Sequence, residues 1–179
     1  MDEPRTVVIT GASRGLGLAS AAHMYKRGWR VVGAMRTPDV GLERIREATR
    51  ALADDPRLIG IQLDLTDAES ITAAAKAIEE AVGAPHALVH NAGIAAVGCV
   101  EELELDVWEQ IFITNLFGPV ALTKALLPAM RAAGRGRIVV ISSEGGVASP
   151  SRGPMRASHS NPTAMTSAPL SSSTATGFQ

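Results

Sequence analysis

The residues best suited to bind an anion lie near the start of the chain, in the stretch Thr10-Gly11-Ala12-Ser13-Arg14-Gly15-Leu16-Gly17. The stretch follows a short β-branched run at 6–9 and opens a segment with helical spacing. Gly11 permits a tight turn, Gly15 leaves room for a pyrophosphate to approach the backbone, and Gly17 lets the helix pack closely on the strand. The free N–H groups and positive dipole end of the helix would favour the phosphates. A glycine-rich turn without a ligand is the alternative.

Two more polar motifs follow predicted strands. Asp64 comes after the third strand, where its carboxylate could accept a hydrogen bond from an adenine amino group. Its alternative role is a helix N-cap. Asn91-Ala92-Gly93 follows the fourth strand, and its small residues would let the backbone pass close to a ligand. An ordinary turn is the alternative there.

The elements that position these motifs alternate along the chain. Nearly continuous apolar runs predict buried strands, and apolar residues at helical spacing predict the helices between them. The strands are predicted at 6–9, 30–34, 58–63, 87–89 and 137–141, and the helices at 15–27, 42–52, 66–82 and 108–130. A Thr66–Glu69 capping box opens the third helix, and Pro119 is expected to bend the fourth. The pattern predicts an α/β fold with a doubly wound parallel sheet of about five strands.

Composition divides the chain into a domain over 1–148 and a tail over 149–179. The tail contains eight Ser, four Thr and four Pro, which predicts disorder. A net charge of −1 argues against a nucleic acid or an anionic membrane as partner. The amino terminus lacks the pattern of a secretory signal, and no apolar run approaches the ~20 residues of a membrane span. One cysteine, Cys99, fits a cytoplasmic location. No metal site is expected.

Taken together, the motifs resemble the short-chain dehydrogenase/reductase family. The matching residues are TGASRGLG (10–17), Asp64-Leu65, HNAG (90–93), Asn115 in TNLFG, and VVISS (139–143). Their order and spacing match throughout 5–148. The one departure among them is His90, where the family usually has Asn, and a buried, hydrogen-bonded histidine is expected there.

The resemblance implies a Rossmann-type domain, NAD or NADP as cofactor, and hydride transfer between a small-molecule alcohol and its carbonyl. It implies that Ser143 polarises the substrate oxygen and that Asn115 holds a water in a proton relay. Ser143 as a cap, and Asn115 as partner of a helix-bend carbonyl near Pro119, are the alternatives. The implied cofactor-binding residues are Thr10, Gly11, Ser13, Arg14, Gly15, Leu16, Gly17, Arg36, Asp64, Leu65, Asn91, Ala92 and Gly93.

The charges near the expected adenosine ribose favour NADP over NAD. The second strand ends Gly33-Ala34-Met35-Arg36, without the carboxylate that would accept a ribose 2′-hydroxyl. Arg14 lies within the glycine loop. Two guanidinium groups there would bind a 2′-phosphate through charge-assisted hydrogen bonds. Two solvated surface arginines are the alternative.

The family's acid/base signature is absent from the sequence. A Tyr-x-x-x-Lys helix should follow Ser143, with Tyr as the acid/base and Lys lowering its pKa. Met155 stands at the Tyr position and His159 at the Lys position. Tyr25 is the single tyrosine, and Trp29 lies four residues after it. The sequence therefore predicts an oxidoreductase whose activity is impaired or lost.

Family members are usually homo-oligomers, and the missing helix usually covers the preceding long helix at the dimer interface. Its absence predicts an uncovered apolar face on 108–130, and hence low stability or association. Three functional hypotheses follow: an oxidoreductase that is impaired or inactive, a non-catalytic dinucleotide-binding module, and a truncated product without activity.

Overall fold

The computed structural model describes residues 4–96 and 101–143 and the backbone of 165–169. Its centre is a sheet in the order β3-β2-β1-β4-β5-β6. The first five strands pair in parallel, as the sequence predicts. They are β1 (Thr6–Thr10), β2 (Arg30–Met35), β3 (Leu58–Gln62), β4 (Ala87–His90) and β5 (Arg137–Ile141).

Helices connect the parallel strands. They are α1 (Gly15–Lys26), α2 (Pro38–Thr49), α3 (Ala68–Val82), α4 (Leu105–Phe112) and α5 (Gly118–Ala132). A π-helical turn (Ile113–Phe117) joins α4 to α5, so the predicted long helix forms with an irregular segment just before Pro119.

Two apolar cores lie on opposite faces of the sheet. Because successive strand residues point to opposite faces, Val8 packs with the α3 and α5 side chains while Val7 and Ile9 pack with those of α1. All five residues of β1 are buried. The structure is therefore the doubly wound α/β fold that the alternating pattern predicts.

Three helix starts differ from the sequence prediction. Helix α4 begins at Leu105 instead of Trp108. Helix α2 begins at Pro38, four residues earlier than expected, because proline is well suited to the first helical turn. Helix α3 is capped by Asp67, whose side chain accepts a hydrogen bond from the Glu69 backbone N–H. Thr66 bonds Asp64 instead of forming the predicted capping box.

A sixth strand, β6 (Met165–Pro169), lies antiparallel to β5. It falls within the tail for which the sequence predicts disorder; the rest of that tail lies outside the described residues. Without β6, β5 would present a row of unpaired backbone groups at the edge of the sheet. Pairing with that edge accounts for a strand in a segment of low packing propensity.

A cluster of polar side chains lies near the amino-terminal ends of β2 and β3. The Tyr25 hydroxyl donates to Asp55, and Arg57 Nη2 donates to both Tyr25 (2.6 Å) and Asp55 (2.8 Å). The Arg57 guanidinium also lies 4.2 Å from the Tyr25 ring centroid. Hydrogen bonds from Arg57 and Tyr25 hold the pKa of Asp55 well below its usual value, and the bond to Asp55 raises the pKa of Tyr25. The cluster fastens α1 to the segment entering β3.

The continuous helix Leu105–Ala132 is half covered. Leu122, Leu126 and Met130 are fully buried on its inner side. No residue of α4 is buried, and Phe117 is 60% exposed. This agrees with the predicted uncovered face. The helix is also long and apolar enough to cross a membrane, the one such helix among the described residues. Core helices of α/β folds meet the same requirement, so this is weak evidence for a membrane span.

Candidate functional site

A cleft of about 860 Å³ opens at the carboxyl ends of β1 to β4. This is the edge where open α/β sheets bind ligands. Twelve of the predicted cofactor-binding residues line it: Gly11, Ser13, Arg14, Gly15, Leu16, Gly17, Arg36, Asp64, Leu65, Asn91, Ala92 and Gly93.

The glycines of the first motif have three distinct environments. Gly11 turns the chain with a φ of +68°. A Cβ at Gly17 would overlap the Gly11 carbonyl oxygen, so only glycine allows α1 to approach β1 this closely. Gly15 also has a positive φ, +56°, but a Cβ there would meet no atom within 4 Å. Of these glycines, Gly15 therefore faces open space.

Among the described residues, no side chain caps the amino terminus of α1. Arg14 at the N-cap makes no capping hydrogen bond, and the first turn contains no acidic residue. The first N–H groups of a helix have no partner within the helix. They open beside the glycine loop and carry the positive end of the helix dipole.

Thr10 lies beneath the cleft and joins the ends of two strands. Its Oγ1 accepts hydrogen bonds from the backbone N–H groups of Asn91 (3.1 Å) and Ala92 (3.0 Å). The Asn91 amide Nδ2 donates to the carbonyl oxygens of Thr10 (2.9 Å) and Gly11 (3.2 Å). Thr10 thus supports the cleft without lining it, and Asn91 fixes the glycine loop to β4.

Asp64 is half-buried on the cleft wall. Its Oδ1 accepts hydrogen bonds from the Thr66 backbone N–H (2.9 Å) and hydroxyl (2.7 Å). These bonds, with a smaller contribution from the charge of Arg36, lower the pKa of Asp64. Asp64 is therefore an anion that organises the turn after β3, and its other oxygen, Oδ2, makes no hydrogen bond among the described residues.

Asn115 lies in the π turn, and its side chain bonds to the loop after β4. The Ile94 N–H donates to Asn115 Oδ1 (2.9 Å), and Asn115 Nδ2 donates to the Ile94 carbonyl (2.7 Å). Neither bond involves a helix carbonyl, so the alternative role near Pro119 is wrong for this side chain. Asn115 instead holds one wall of the cleft in place.

Ser143 lies two residues beyond β5 and is exposed, at the same edge of the sheet as the cleft. It is not among the cleft-lining residues. Met155 and His159 lie outside the described residues. Within the described part of the chain, no group of three or more His, Cys, Asp or Glu side chains could hold a metal ion.

His90 is buried, as expected, at the end of β4. Its Nε2 lies 2.7 Å from the Thr123 hydroxyl on α5. Its Nδ1 has no hydrogen-bond partner among the described residues. Burial lowers the pKa of His90 to about 4, so the ring is neutral at pH 7. It links the sheet to α5 and does not line the cleft.

Several cleft residues were not predicted from the sequence, including Thr37, Arg44, Gln110 and Thr114. Arg44 carried a usable signal, because Gly41 one turn earlier marks the side of α2 that packs tightly. Gln110 and Thr114 lie on α4 and the π turn, whose approach to the cleft depends on tertiary packing.

Comparison with known proteins supports the resemblance to the short-chain dehydrogenase/reductase family. The family model for short chain dehydrogenase matches residues 5–166. Human retinol dehydrogenase 8 is 42% identical over 143 residues, covering 78% of this chain and 44% of the relative. A dehydrogenase/reductase SDR family protein 7-like from Anopheles gambiae is 43% identical over 159 residues, covering 86% and 50%.

Solved structures agree. A short-chain dehydrogenase from Streptomyces avermitilis superposes with a TM-score of 0.75 at 36% identity, covering 83% of this chain and 53% of that one. The F189W actinorhodin polyketide ketoreductase, solved with NADPH, gives 0.74 at 33% identity, covering 83% and 56%. The chain belongs to the short-chain dehydrogenase/reductase family. It spans about half the length of the curated relatives it matches.

Proposed function

We propose that this chain binds NADP(H) in the cleft as an oxidoreductase of its family, acting on an alcohol or carbonyl, and that its own turnover is impaired. The observation that carries the proposal is the uncapped amino terminus of α1 beside Gly15. Free backbone N–H groups, a positive dipole end and open space meet there. Those are the requirements of a pyrophosphate site.

The remaining walls fit the rest of a dinucleotide. Asp64 keeps Oδ2 for an adenine amino group while Oδ1 holds Thr66. Leu65 offers an apolar surface beside it. Asn91 and Gly93 also line the cleft, and an adenosine ribose would lie near Asn91. The cleft volume is within the range of about 300–1,000 Å³ typical of cofactor sites.

A preference for NADP rests on charge. Arg14 and Arg36 line the cleft, and neither makes an ion pair among the described residues. Strand β2 ends without a carboxylate that would repel a 2′-phosphate. The NADPH in the polyketide ketoreductase is consistent with this preference.

The cofactor would supply or accept the hydride, and the residues of the chain would hold and polarise the reactants. Ser143, at the carboxyl end of β5, is the group proposed to donate a hydrogen bond to the substrate oxygen. Asn115 Oδ1 and Nδ2 each make one hydrogen bond to Ile94, and each can make a second one, so the side chain keeps the capacity to hold a relay water.

The site lacks the tyrosine that serves as the acid/base in the family. The single tyrosine, Tyr25, is bonded to Asp55 and Arg57 at the opposite end of the sheet from the cleft. Met155 cannot transfer a proton, and His159 stands where the family has Lys. Cofactor binding with little or no turnover is therefore the expected behaviour, which favours a dinucleotide-binding module as the second candidate function.

Binding is tested by comparing Gly15→Ala with Gly134→Ala. Both glycines have φ near +60°, and a Cβ at either would meet no atom within 4 Å. Each substitution should destabilise the protein by about 1 kcal/mol through backbone strain. Only Gly15→Ala should weaken NADPH binding, by about tenfold or more, because its Cβ would enter the open space through which the pyrophosphate approaches the backbone. Calorimetric titration measures the change in affinity, and thermal unfolding measures the change in stability.

Failure of the unaltered chain to bind either nicotinamide cofactor would refute the proposal.

Turnover is tested with a panel of alcohols and carbonyls that includes retinol, since a relative is a retinol dehydrogenase. We expect the cofactor to bind without measurable oxidation of NADPH by the carbonyls or reduction of NADP⁺ by the alcohols. Sustained turnover would contradict the proposed impairment. A chain without a cooperative unfolding transition would instead support the hypothesis of a truncated product.

A further inference from the structure

Arg44 reaches the cleft from α2, whereas Arg36 precedes that helix, just after β2. Its Nη1 donates a hydrogen bond to the carbonyl oxygen of Ser13 in the glycine loop, at 3.2 Å. The side chain is exposed and lines the cleft together with Arg14 and Arg36. One nitrogen of the guanidinium is thus anchored, and its other N–H groups have no partner within the described residues.

Tight packing of α2 determines where Arg44 points. Gly41 is buried one turn before it, and a Cβ at Gly41 would overlap the Met35 sulfur and lie 3.2 Å from the Ser13 Cβ. The helix therefore packs against both β2 and the glycine loop. Because residues three apart share a helix face, Arg44 lies on the side that Gly41 turns toward the loop.

The charge around Arg44 is unbalanced. Three guanidinium groups line the cleft, from Arg14, Arg36 and Arg44, against one carboxylate, Asp64. The neighbouring acid on α2, Glu43, pairs with Arg46 instead, at 3.6 Å. No ion pair within the described residues involves any of the three arginines. An additional anion is the chemical group that would balance this cluster.

We propose that Arg44 is a specificity-determining residue that binds the 2′-phosphate of NADP together with Arg14 and Arg36. The bond to Ser13 holds the guanidinium at the cleft before the ligand arrives, which lowers the entropy lost on binding. The inference rests on the proposed function. It adds a third phosphate-binding residue, which lies on α2 and not in the glycine loop or at the end of β2.

The test compares NADPH and NADH affinities of the full chain by titration at fixed ionic strength. Arg44→Ala should weaken NADPH binding by about five- to twentyfold, the range for a charge-assisted hydrogen bond in a partly screened site. It should change NADH binding by less than about twofold, because NADH has no 2′-phosphate. Arg44→Lys, which keeps the charge and loses the planar fork, should fall in between. Arg27→Ala removes an exposed arginine at the other end of α1 and should change neither affinity.

Arg44→Gln serves if the alanine variant does not fold, since it removes the charge and retains a donor. Equal weakening of NADPH and NADH would overturn the inference, because Arg44 would then only support the loop. Unchanged NADPH affinity would overturn it as well.

An unaltered chain that binds neither cofactor refutes the proposed function itself, a result that appears before any variant is made. Binding of NADPH by the unaltered chain together with no loss in Arg44→Ala refutes the inference alone.

Discussion

Strands β1 and β5 belong to one parallel sheet but differ in their surroundings. All five residues of β1 are buried, whereas Val139 is the one buried residue of β5. Strand β1 lies between β2 and β4, with apolar side chains packed on both of its faces. The contrast shows that the sheet is covered on both faces around β1, here called the covered half, and only partly covered around β5, here called the open half.

The helices repeat the contrast. Helix α1 buries Gly17, Ala21, Ala22 and Tyr25, while α4 buries no residue. The covered half also has a set of hydrogen bonds at the end of β1, where Thr10 and Asn91 join the glycine loop to the loop after β4. The proposed cofactor cleft is therefore built mainly on the covered half, and Ser143 lies on the open half.

The largest expected effect comes from a matched pair of valines on the two halves. Val8→Ala on β1 should destabilise the protein by about 2.5 kcal/mol, because it removes buried methyl groups and leaves a cavity. Val140→Ala on β5 should cost less than about 1 kcal/mol, since Val140 is 46% exposed while Val8 is fully buried. Denaturant unfolding measures both. Similar losses would mean that the two halves are equally covered in solution.

An acid-dependent loss of stability is expected next, from His90 at the boundary of the halves. Burial lowers the folded-state pKa of His90 to about 4 from 6.5, so below pH 6.5 the unfolded chain takes up the proton first. Stability should therefore fall as the pH drops from about 6.5 toward about 4, by about 2 kcal/mol at pH 5 relative to pH 8. Thermal unfolding across this range measures the loss.

His90→Asn places the residue usual in the family and removes the titrating ring. It should flatten the part of the pH dependence that His90 contributes. His86, whose pKa is also lowered by burial, contributes in the same direction and remains in the variant. An unchanged slope in His90→Asn would assign the whole effect to other groups.

The smallest effect on stability is expected at the open half. Phe117 and Val120 are 60% and 48% exposed on the outer side of the long helix. Replacing both with Ser should change stability by less than about 1 kcal/mol and reduce self-association, because exposed apolar patches favour contact between molecules. Light scattering over a range of protein concentration tests this. Association that persists in the double variant would place the contact elsewhere.

The parallel sheet and most of the cleft could be predicted because their signals are local. Nearly continuous apolar runs define β1 to β5, and small residues mark where the backbone must pass closely, as at Gly17. The start of α2 was misplaced because Pro38 lies before the apolar periodicity begins. Arg44 was missed because Gly41 marks only the tightly packed side of α2, and not the distant loop that Arg44 contacts. The bonds of Asn115 to Ile94 follow from tertiary structure and have no sequence pattern.

The π turn between α4 and α5 also has a consequence for rotational register. A π turn accommodates one more residue than an α-helical turn, so it offsets the faces of α4 and α5 by about 100°. Deleting one residue within Ile113–Phe117 would restore a regular helix and rotate Leu122, Leu126 and Met130 away from the core. The extra residue is thus what allows one continuous helix to place Asn115 against the Ile94 backbone and still turn its apolar side chains toward the sheet.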